Sequence, residues 1–150
     1  YFLAPASSKF HLNVTGGLSV HSMNVYETFK GLVGMFKNNI KPESMIIVSL
    51  LHDLCKVDTY NENILKNGNK SEAKPYIVND TLPLGHGEKS VILAEQFIKL
   101  TNTERMLIRW HMGLFDKEFR TYQDKIENTY PECILFHMAD WASSRFVDGK

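Results

Sequence analysis

His52 and Asp53 stand side by side where an apolar segment ends, and Lys56 follows them within one helical turn. The preceding residues, 45–51, read MIIVSLL, a pattern typical of a helix that is buried in a core. A buried helix ordinarily ends in solvated residues or at a glycine. Because an ionisable group carried into an interior needs a partner, the adjacent imidazole and carboxylate indicate a metal site.

Further side chains of metal-ligand type lie on other predicted helices: His21 inside the first, His86 at the start of the third, His111 at the end of the fourth and Asp140 on the last. Helical bundles build carboxylate and imidazole metal centres from side chains on several helices. Mixed nitrogen and oxygen ligation suits manganese, iron, zinc or magnesium. Taken singly, each histidine is more often a hydrogen-bonded core or capping residue, so the metal hypothesis depends on the whole set.

Hydrophobic periodicity predicts an all-α fold, a bundle of five or six helices. The predicted helices cover about 17–38, 42–55, 87–100, a segment that carries His111, about 117–128 and a segment that begins at Pro131. Pro42 suits a first helical turn, where its missing N–H has no acceptor to lose. Thr101 and Glu104 match a capping box and predict the start of the fourth helix.

Between about 57 and 85 the helical period breaks around an Asn67-Gly68 turn signal. This pattern predicts a small β-hairpin, inserted between helices and covering one end of the bundle as a flap. No repeat or low-complexity tract interrupts residues 1–150, which are therefore expected to form a single domain.

Charge and cysteine content narrow the classes of function. The 17 basic and 17 acidic residues cancel, so no overall field attracts long duplex nucleic acid or an anionic membrane. Cys55 and Cys133 lie far apart in apolar helical segments, which favours reduced core thiols over a disulfide framework. The sequence lacks both an apolar run of membrane-spanning length and a signal-peptide pattern. These features predict a cytoplasmic protein.

Five short motifs resemble, in their residues and in their order along the chain, those of the HD-domain metalloenzyme superfamily, which is named for its adjacent His-Asp pair. GGLSVHS is similar to the first-histidine motif of that family, LLHDLCK to its His-Asp motif and ADWASS to its terminal aspartate motif. LGHGEK and IRWHMG supply the two extra histidines of the binuclear branch. The resemblance covers residues 8–146 and implies an HD-domain helical bundle.

The resemblance implies two divalent ions, which could be manganese, iron, magnesium, zinc or nickel. Their six implied ligands form two sets that share Asp53: His21, His52, Asp53 and Asp140 for one ion, and Asp53, His86 and His111 for the other. Two such ions can share a hydroxide that attacks a phosphate ester at neutral pH, so Asp53 is expected to be catalytic. Lys56 is expected to act in catalysis and to bind substrate phosphate, and His11 is a further candidate for substrate contact.

The function implied is that of a metal-dependent phosphohydrolase or phosphodiesterase. The segments around the first histidine and around Asp140 are similar to the nuclease domain of certain 3′-to-5′ exoribonucleases. Those enzymes carry an additional nucleic-acid-binding domain that these 150 residues do not show, which favours a small nucleotide or short oligonucleotide as substrate. Two alternatives stay open: a mixed-valent diiron oxygenase with the same ligand pattern, and a binding module that senses a nucleotide.

Three other side chains have two interpretations each. His137 precedes Asp140 by one helical turn and could orient that carboxylate, or it could be an ordinary packed histidine. Tyr60 and Tyr76 flank the predicted hairpin, where they could stack on a base or pin the flap to the body of the protein.

Overall fold

The structure, a computed structural model, describes residues 1–149 and is mostly helical. Its elements in chain order are α1 (Gly17–Met35), α2 (Pro42–Leu51), β1 (Tyr60–Glu62), β2 (Tyr76–Val78), α3 (His86–Glu95), α4 (Asn102–Trp110), α5 (Phe119–Thr129) and α6 (Glu132–Ala142). Two 3₁₀ turns, Leu54–Lys56 and Gly113–Phe115, follow α2 and α4, and a π-helical turn, Ser143–Val147, extends α6. The prediction of a helical bundle of five or six helices with an inserted hairpin is confirmed, with six helices.

Several helices end earlier than their apolar periodicity predicted. The segment predicted as 42–55 leaves the α-helix after Leu51 and forms a 3₁₀ turn, in which the Lys56 N–H donates to the Asp53 carbonyl at 2.9 Å. The first helix stops at Met35, because Lys37 adopts a left-handed conformation with φ of 52°. Apolar residues beyond a helix end can still face the core, so periodicity alone places such ends too far along the chain.

The core forms where α1 packs against α2 and α6 and where α4 packs against the same two helices. Phe29 of α1 and Phe136 of α6 are fully buried, with their ring centroids 4.9 Å apart. Val48 of α2 and Leu107 of α4 complete this layer. Among residues 1–149, no helix combines the length and the apolarity that crossing a membrane would require.

The predicted capping box at the start of α4 is confirmed. The Thr101 hydroxyl accepts from the Glu104 N–H at 3.3 Å, and a Glu104 carboxylate oxygen accepts from the Thr101 N–H at 2.7 Å. The other Glu104 oxygen accepts from the Ser44 hydroxyl at 2.7 Å. Because Ser44 lies in the first turn of α2, this buried carboxylate joins the starts of the two helices whose other ends carry His52 and His111.

A loop before α1 packs tightly against the start of that helix. A Cβ atom at Gly17 would collide with the carbonyl group of Leu12, so only glycine allows this approach. The Leu18 N–H donates to the Ala4 carbonyl at 2.9 Å, which fastens the loop a second time. His11 is thereby held beside α1, with its ring centroid 5.1 Å from that of His21.

The inserted hairpin pairs Tyr60 with Val78 and Glu62 with Tyr76 in antiparallel register. Tyr76 is buried, its ring contacts the ammonium group of Lys70 at 3.9 Å, and its N–H donates to the Ser8 carbonyl at 3.3 Å. These contacts favour the interpretation of Tyr76 as a residue that pins the hairpin to the N-terminal loop.

Candidate metal centre

Asp53 lies at the centre of the polar cluster that the helices enclose. It follows α2 directly and precedes the 3₁₀ turn, and its side chain is only 3% exposed. The two carboxylate oxygens face different groups of side chains, Oδ2 toward His21 and His52 and Oδ1 toward His86 and His111. One carboxylate is therefore positioned between two sets of potential ligands.

The first set is formed by Asp53 Oδ2 with atoms from α1, the end of α2 and α6. His21 Nε2 lies 3.3 Å from His52 Nε2 and 3.1 Å from Asp140 Oδ1. Asp53 Oδ2 lies 3.4 Å from His52 Nε2 and 3.7 Å from His21 Nε2. Two ligand atoms about 2.1 Å from one ion, at angles of about 90–110°, lie about 3.0–3.4 Å apart. His21 Nε2, His52 Nε2 and Asp53 Oδ2 can therefore surround one metal ion after small shifts. Asp140 Oδ1 lies beside them, close to His21 Nε2 but 3.8 Å from His52 Nε2.

The second set is formed by Asp53 Oδ1 with His86 and His111. His86 Nε2 lies 2.7 Å from Asp53 Oδ1, and His111 Nε2 lies 3.6 Å from the same oxygen. The two imidazole centroids are 5.3 Å apart. His111 Nε2 is buried and has no hydrogen-bond partner among residues 1–149. Burying a nitrogen lone pair without a partner is costly, and a cation at this position would remove that cost.

Helix ends orient two of the histidines. His52 follows α2 and His111 follows α4, each as the residue directly after the helix. The His52 Nδ1–H donates to the Ser49 carbonyl at 2.9 Å, and the His111 Nδ1–H donates to the Ile108 carbonyl at 2.7 Å. Both bonds use helix carbonyls that lack an intrahelical partner. They fix the tautomer in which Nε2 carries the lone pair and can bind a metal.

Asp148 is a functional candidate that sequence reasoning missed. Its Oδ2 accepts from the His21 Nδ1–H at 2.7 Å, and its Oδ1 accepts from the Asn24 amide at 2.8 Å. The chain reaches this position through the π-helical turn, closed by a bond of 3.0 Å from the Asp148 N–H to the Ser143 carbonyl. A carboxylate near the end of the sequence and two residues from a phenylalanine gives no spacing signal. Only the tertiary contact reveals it.

His86 is positioned by a close approach between α3 and α4. A Cβ atom at Gly87 would collide with the backbone of Arg109, so the glycine permits the two helices to meet beside His86 and His111. Cys55 Sγ lies 3.5 Å from His86 Nδ1. Burial raises the pKa of the Cys55 thiol to about 12. Cys55 is thus a neutral contact for His86 as well as a free core thiol, a role that the sequence did not indicate.

Lys56 contacts the same carboxylate, with Nζ 2.5 Å from Asp53 Oδ2. Burial would lower the pKa of Lys56, but the charge and hydrogen bond of Asp53 outweigh burial and raise it. Burial alone would likewise raise the pKa of the Asp53 carboxyl, whereas Lys56 and the neighbouring histidines hold it well below its usual range. The sequence predicted that Lys56 faces substrate phosphate. The structure shows an ion pair with Asp53 at the edge of a cavity. The ammonium group of Lys56 therefore contacts the Asp53 carboxylate and also lines the cavity in which a substrate would bind.

His21 carries the strongest charge coupling of the histidines. Burial would lower its pKa, but hydrogen bonds to Asp140 and Asp148 outweigh burial and raise the pKa to about 9. The pKa of Asp140 is lowered despite its burial, chiefly by the hydrogen bond to His21. The cluster thus keeps its carboxylates ionised, the state in which they bind a cation.

A cavity of about 280 Å³ opens onto the cluster. Its lining includes His11, Asp53, Lys56, Asp140 and, toward the surface, Trp141. His11 is therefore beside the cavity, as expected of a substrate contact. In the described part of the chain, no residue between 57 and 85 lines this cavity. The prediction that the hairpin forms a flap receives no support from that arrangement.

His137 contacts a different group from the one considered for it. Its Nδ1–H donates to the His111 carbonyl at 2.7 Å, and its ring lies nearly parallel to that of Trp141, with 6.2 Å between centroids. These contacts favour the interpretation of His137 as a packed histidine over that of a partner of Asp140. The hydrogen bond from His137 stabilises the backbone at His111, which is a predicted ligand.

The structure brings together all six side chains predicted from the sequence to be ligands, from five separate segments of the chain. The three groups that can each hold an ion are His21 with His52 and Asp53, Asp53 with Cys55 and His86, and His11 with His21 and Asp148. The third group shares His21 with the first, and its Asp148 already bonds His21 and Asn24. We searched the chain against protein-family models, curated proteins and solved structures, and found no match.

Proposed function

We propose that this protein is a phosphohydrolase of the HD-domain type that binds two divalent metal ions and hydrolyses a phosphate ester of a nucleotide or short oligonucleotide. The observation that carries the proposal is the position of Asp53, whose two oxygens face separate sets of nitrogen and oxygen ligands. A carboxylate in this position would offer one oxygen to each set of ligands, as the shared carboxylate of a two-metal phosphoesterase site does. The buried, unpartnered Nε2 of His111 supports occupation of the second position.

Divalent ions held by these ligands would lower the pKa of a bound water molecule, and they would place positive charge beside the phosphoryl oxygens. The protein's own residues have three tasks. Asp53 would contribute one carboxylate oxygen to each set of ligands. Lys56, beside Asp53 and at the cavity wall, stabilises the negative charge that develops on the phosphoryl oxygens. His11 lies on the loop before α1, lines the same cavity as Lys56 and contacts the substrate there.

The reaction consumes one water molecule. A bond forms between the water oxygen and phosphorus, the bond from phosphorus to the leaving oxygen breaks, and the leaving oxygen takes up a proton. Burial lowers the pKa of His11, so at neutral pH its imidazole is uncharged and can donate one N–H to a substrate oxygen. Lys56 stays charged throughout, because its pKa is raised.

The test combines metal analysis with product analysis. Protein purified without added metal is analysed for metal content and then assayed with manganese against nucleoside phosphates and short oligonucleotides. We expect up to two equivalents of metal and release of phosphate or mononucleotide. Oxygen uptake without hydrolysis would instead support the oxygenase alternative. Saturable nucleotide binding without either reaction would support the sensing alternative.

The variant Lys56→Met tests the role of the ammonium group. Hydrolysis should fall about 10- to 1000-fold, the range seen when one electrostatic stabiliser is lost. Metal content should not fall, because Lys56 is not a metal ligand. Its ammonium group instead competes with a metal cation for the Asp53 carboxylate. The exposed Lys66 of the hairpin gives the matched control, Lys66→Met, which should behave as wild type. Loss of metal in Lys56→Met would contradict the assigned role.

A further inference from the structure

A second cavity adjoins the one at the candidate metal centre and shares part of its wall. The outer cavity, about 470 Å³, is lined by Lys9, Phe10 and Gly149 together with three residues that also line the inner cavity. The shared residues are His11, Ser144 and Arg145. Asp53 and Lys56 line only the inner cavity, so Arg145 marks the boundary between a compartment beside the predicted ligands and one nearer the surface.

The outer compartment is positively charged. Arg145 and Lys9 are exposed, and neither forms a salt bridge with another residue among 1–149. The neighbouring carboxylate of Asp148 is buried and already accepts hydrogen bonds from His21 and Asn24. A guanidinium group with free N–H donors matches the oxygens of a phosphate group in a bidentate manner.

Arg145 owes its position to the π-helical turn Ser143–Val147. A π-helical turn contains one more residue than an α-helical turn, so side chains after it point in different directions from those a regular helix would give. Ser143 stays buried and its hydroxyl donates to the Thr28 hydroxyl at 3.0 Å, which anchors the turn on α1. The same turn that carries Asp148 to His21 therefore leaves Arg145 at the mouth of the cavity.

The inner compartment has one aromatic side. Phe115 and Trp141 line it, their ring centroids lie 5.7 Å apart, and both side chains are at least half exposed. An exposed aromatic ring beside a polar cavity can stack on a base, because every nucleobase offers a π-face. A nucleoside in this compartment would separate a phosphate at Lys56 from a phosphate at Arg145.

We propose that Arg145, assisted by Lys9, binds a second phosphate group of the substrate, so that the preferred substrate is a short oligonucleotide. This inference rests on the proposed function and adds to it a substrate class and a specificity-determining residue. In a nucleoside triphosphate the phosphates adjoin one another. In an oligonucleotide a nucleoside separates them. Of these two cavities, Lys56 lines only the inner one and Lys9 only the outer one, so phosphates that contact these two lysines would likewise lie in different compartments.

The experiment compares dinucleotides that differ only in one terminal phosphate. The wild-type protein with manganese is assayed on a plain dinucleotide and on its 5′-phosphorylated and 3′-phosphorylated forms, with a nucleoside triphosphate as a further substrate. We expect kcat/KM to be about 10- to 100-fold higher for one of the phosphorylated forms than for the plain dinucleotide, as for one charge-assisted contact.

The variant Arg145→Met should bring that ratio close to one. The control Arg120→Met, an exposed arginine on α5, should keep it. A methylphosphonate-linked dinucleotide with the terminal phosphate gives a readout without turnover, and Arg145→Met should weaken its binding by a similar factor.

The outcomes separate the two proposals. Equal kcat/KM for plain and phosphorylated dinucleotides, an equal loss on both in Arg145→Met, or preference for the triphosphate would overturn the second phosphate site and leave the hydrolase proposal standing. Absence of hydrolysis of every substrate by the metal-loaded wild-type protein would overturn both.

Discussion

The two halves of the candidate centre differ in how firmly the fold holds them. In the first half, His21 and His52 are almost fully buried, and hydrogen bonds to Asp148 and to the Ser49 carbonyl fix the Nδ1 atoms of both. In the second half, His111 is fixed in the same way, but the side chain of His86 is 37% exposed and has only the Cys55 thiol beside Nδ1. A thiol is a weak hydrogen-bond partner.

If two ions bind as proposed, this difference predicts that the first position is prearranged and that the second is completed on binding. Partners behind a metal-binding histidine typically change metal affinity about 10- to 100-fold. We therefore expect the first position to bind more tightly and the second to exchange its ion more readily. The following predictions test that ranking, beginning with the residue that both halves share.

Replacing Asp53 should have the largest effect, because both positions lose an oxygen ligand at once. We expect Asp53→Asn to lose at least one metal equivalent and to show no measurable hydrolysis, a decrease of about 1000-fold or more. Metal analysis and an assay of product release measure the two effects. The exposed Asp58 provides the control Asp58→Asn, which should retain both. Full metal content in Asp53→Asn would show that this carboxylate does not bridge.

Replacing one histidine from each half should separate the two positions. His111→Ala should keep one equivalent of metal, because the first set of ligands stays complete. His52→Ala should lose the tighter equivalent and weaken the second, since Asp53 follows His52 directly and depends on its position. Calorimetric titration with manganese measures metal binding by both variants. Identical binding curves for the two variants would remove the distinction between the halves.

Replacing Asp148 tests the tighter half through a residue that is not one of the six predicted ligands but contacts His21. Asp148→Asn keeps the shape but loses the charge that accepts from the His21 Nδ1–H. We expect affinity for the first ion to fall about 10- to 100-fold, with the second less affected. The exposed Asp124 of α5 offers Asp124→Asn as the control. An unchanged first affinity would show that His21 needs no carboxylate behind it.

Replacing Cys55 should have the smallest effect and should fall on the looser half. Cys55→Ala removes the thiol beside His86, and we expect the affinity for the second ion to fall by less than about 10-fold. Cys133→Ala is the matched control, since Cys133 is equally buried and free but packs in the core away from the cluster. A larger effect of Cys55→Ala on the first ion than on the second would reverse the proposed ranking.

The sequence by itself determined most of the helices and the set of candidate ligands. Apolar periodicity locates the six helices because each must bury one face, and the capping box of Thr101 and Glu104 marks a helix start through contacts between residues three apart. The six candidate ligands could be named because their types and their order along the chain form recognisable motifs. Local patterns of this kind need no knowledge of the fold.

Only the tertiary structure decided which groups meet. The sequence does not show that Asp53 turns one oxygen to each set of ligands, that Asp148 lies 127 residues from the His21 it contacts, or that His137 bonds the His111 carbonyl. The ion pair of Lys56 with Asp53 and the place of Arg145 between two cavities likewise depend on the 3₁₀ and π-helical turns. The physical reason is that a helix end or an extra residue in a turn redirects every side chain after it. Long-range packing, rather than local propensity, sets where those turns fall.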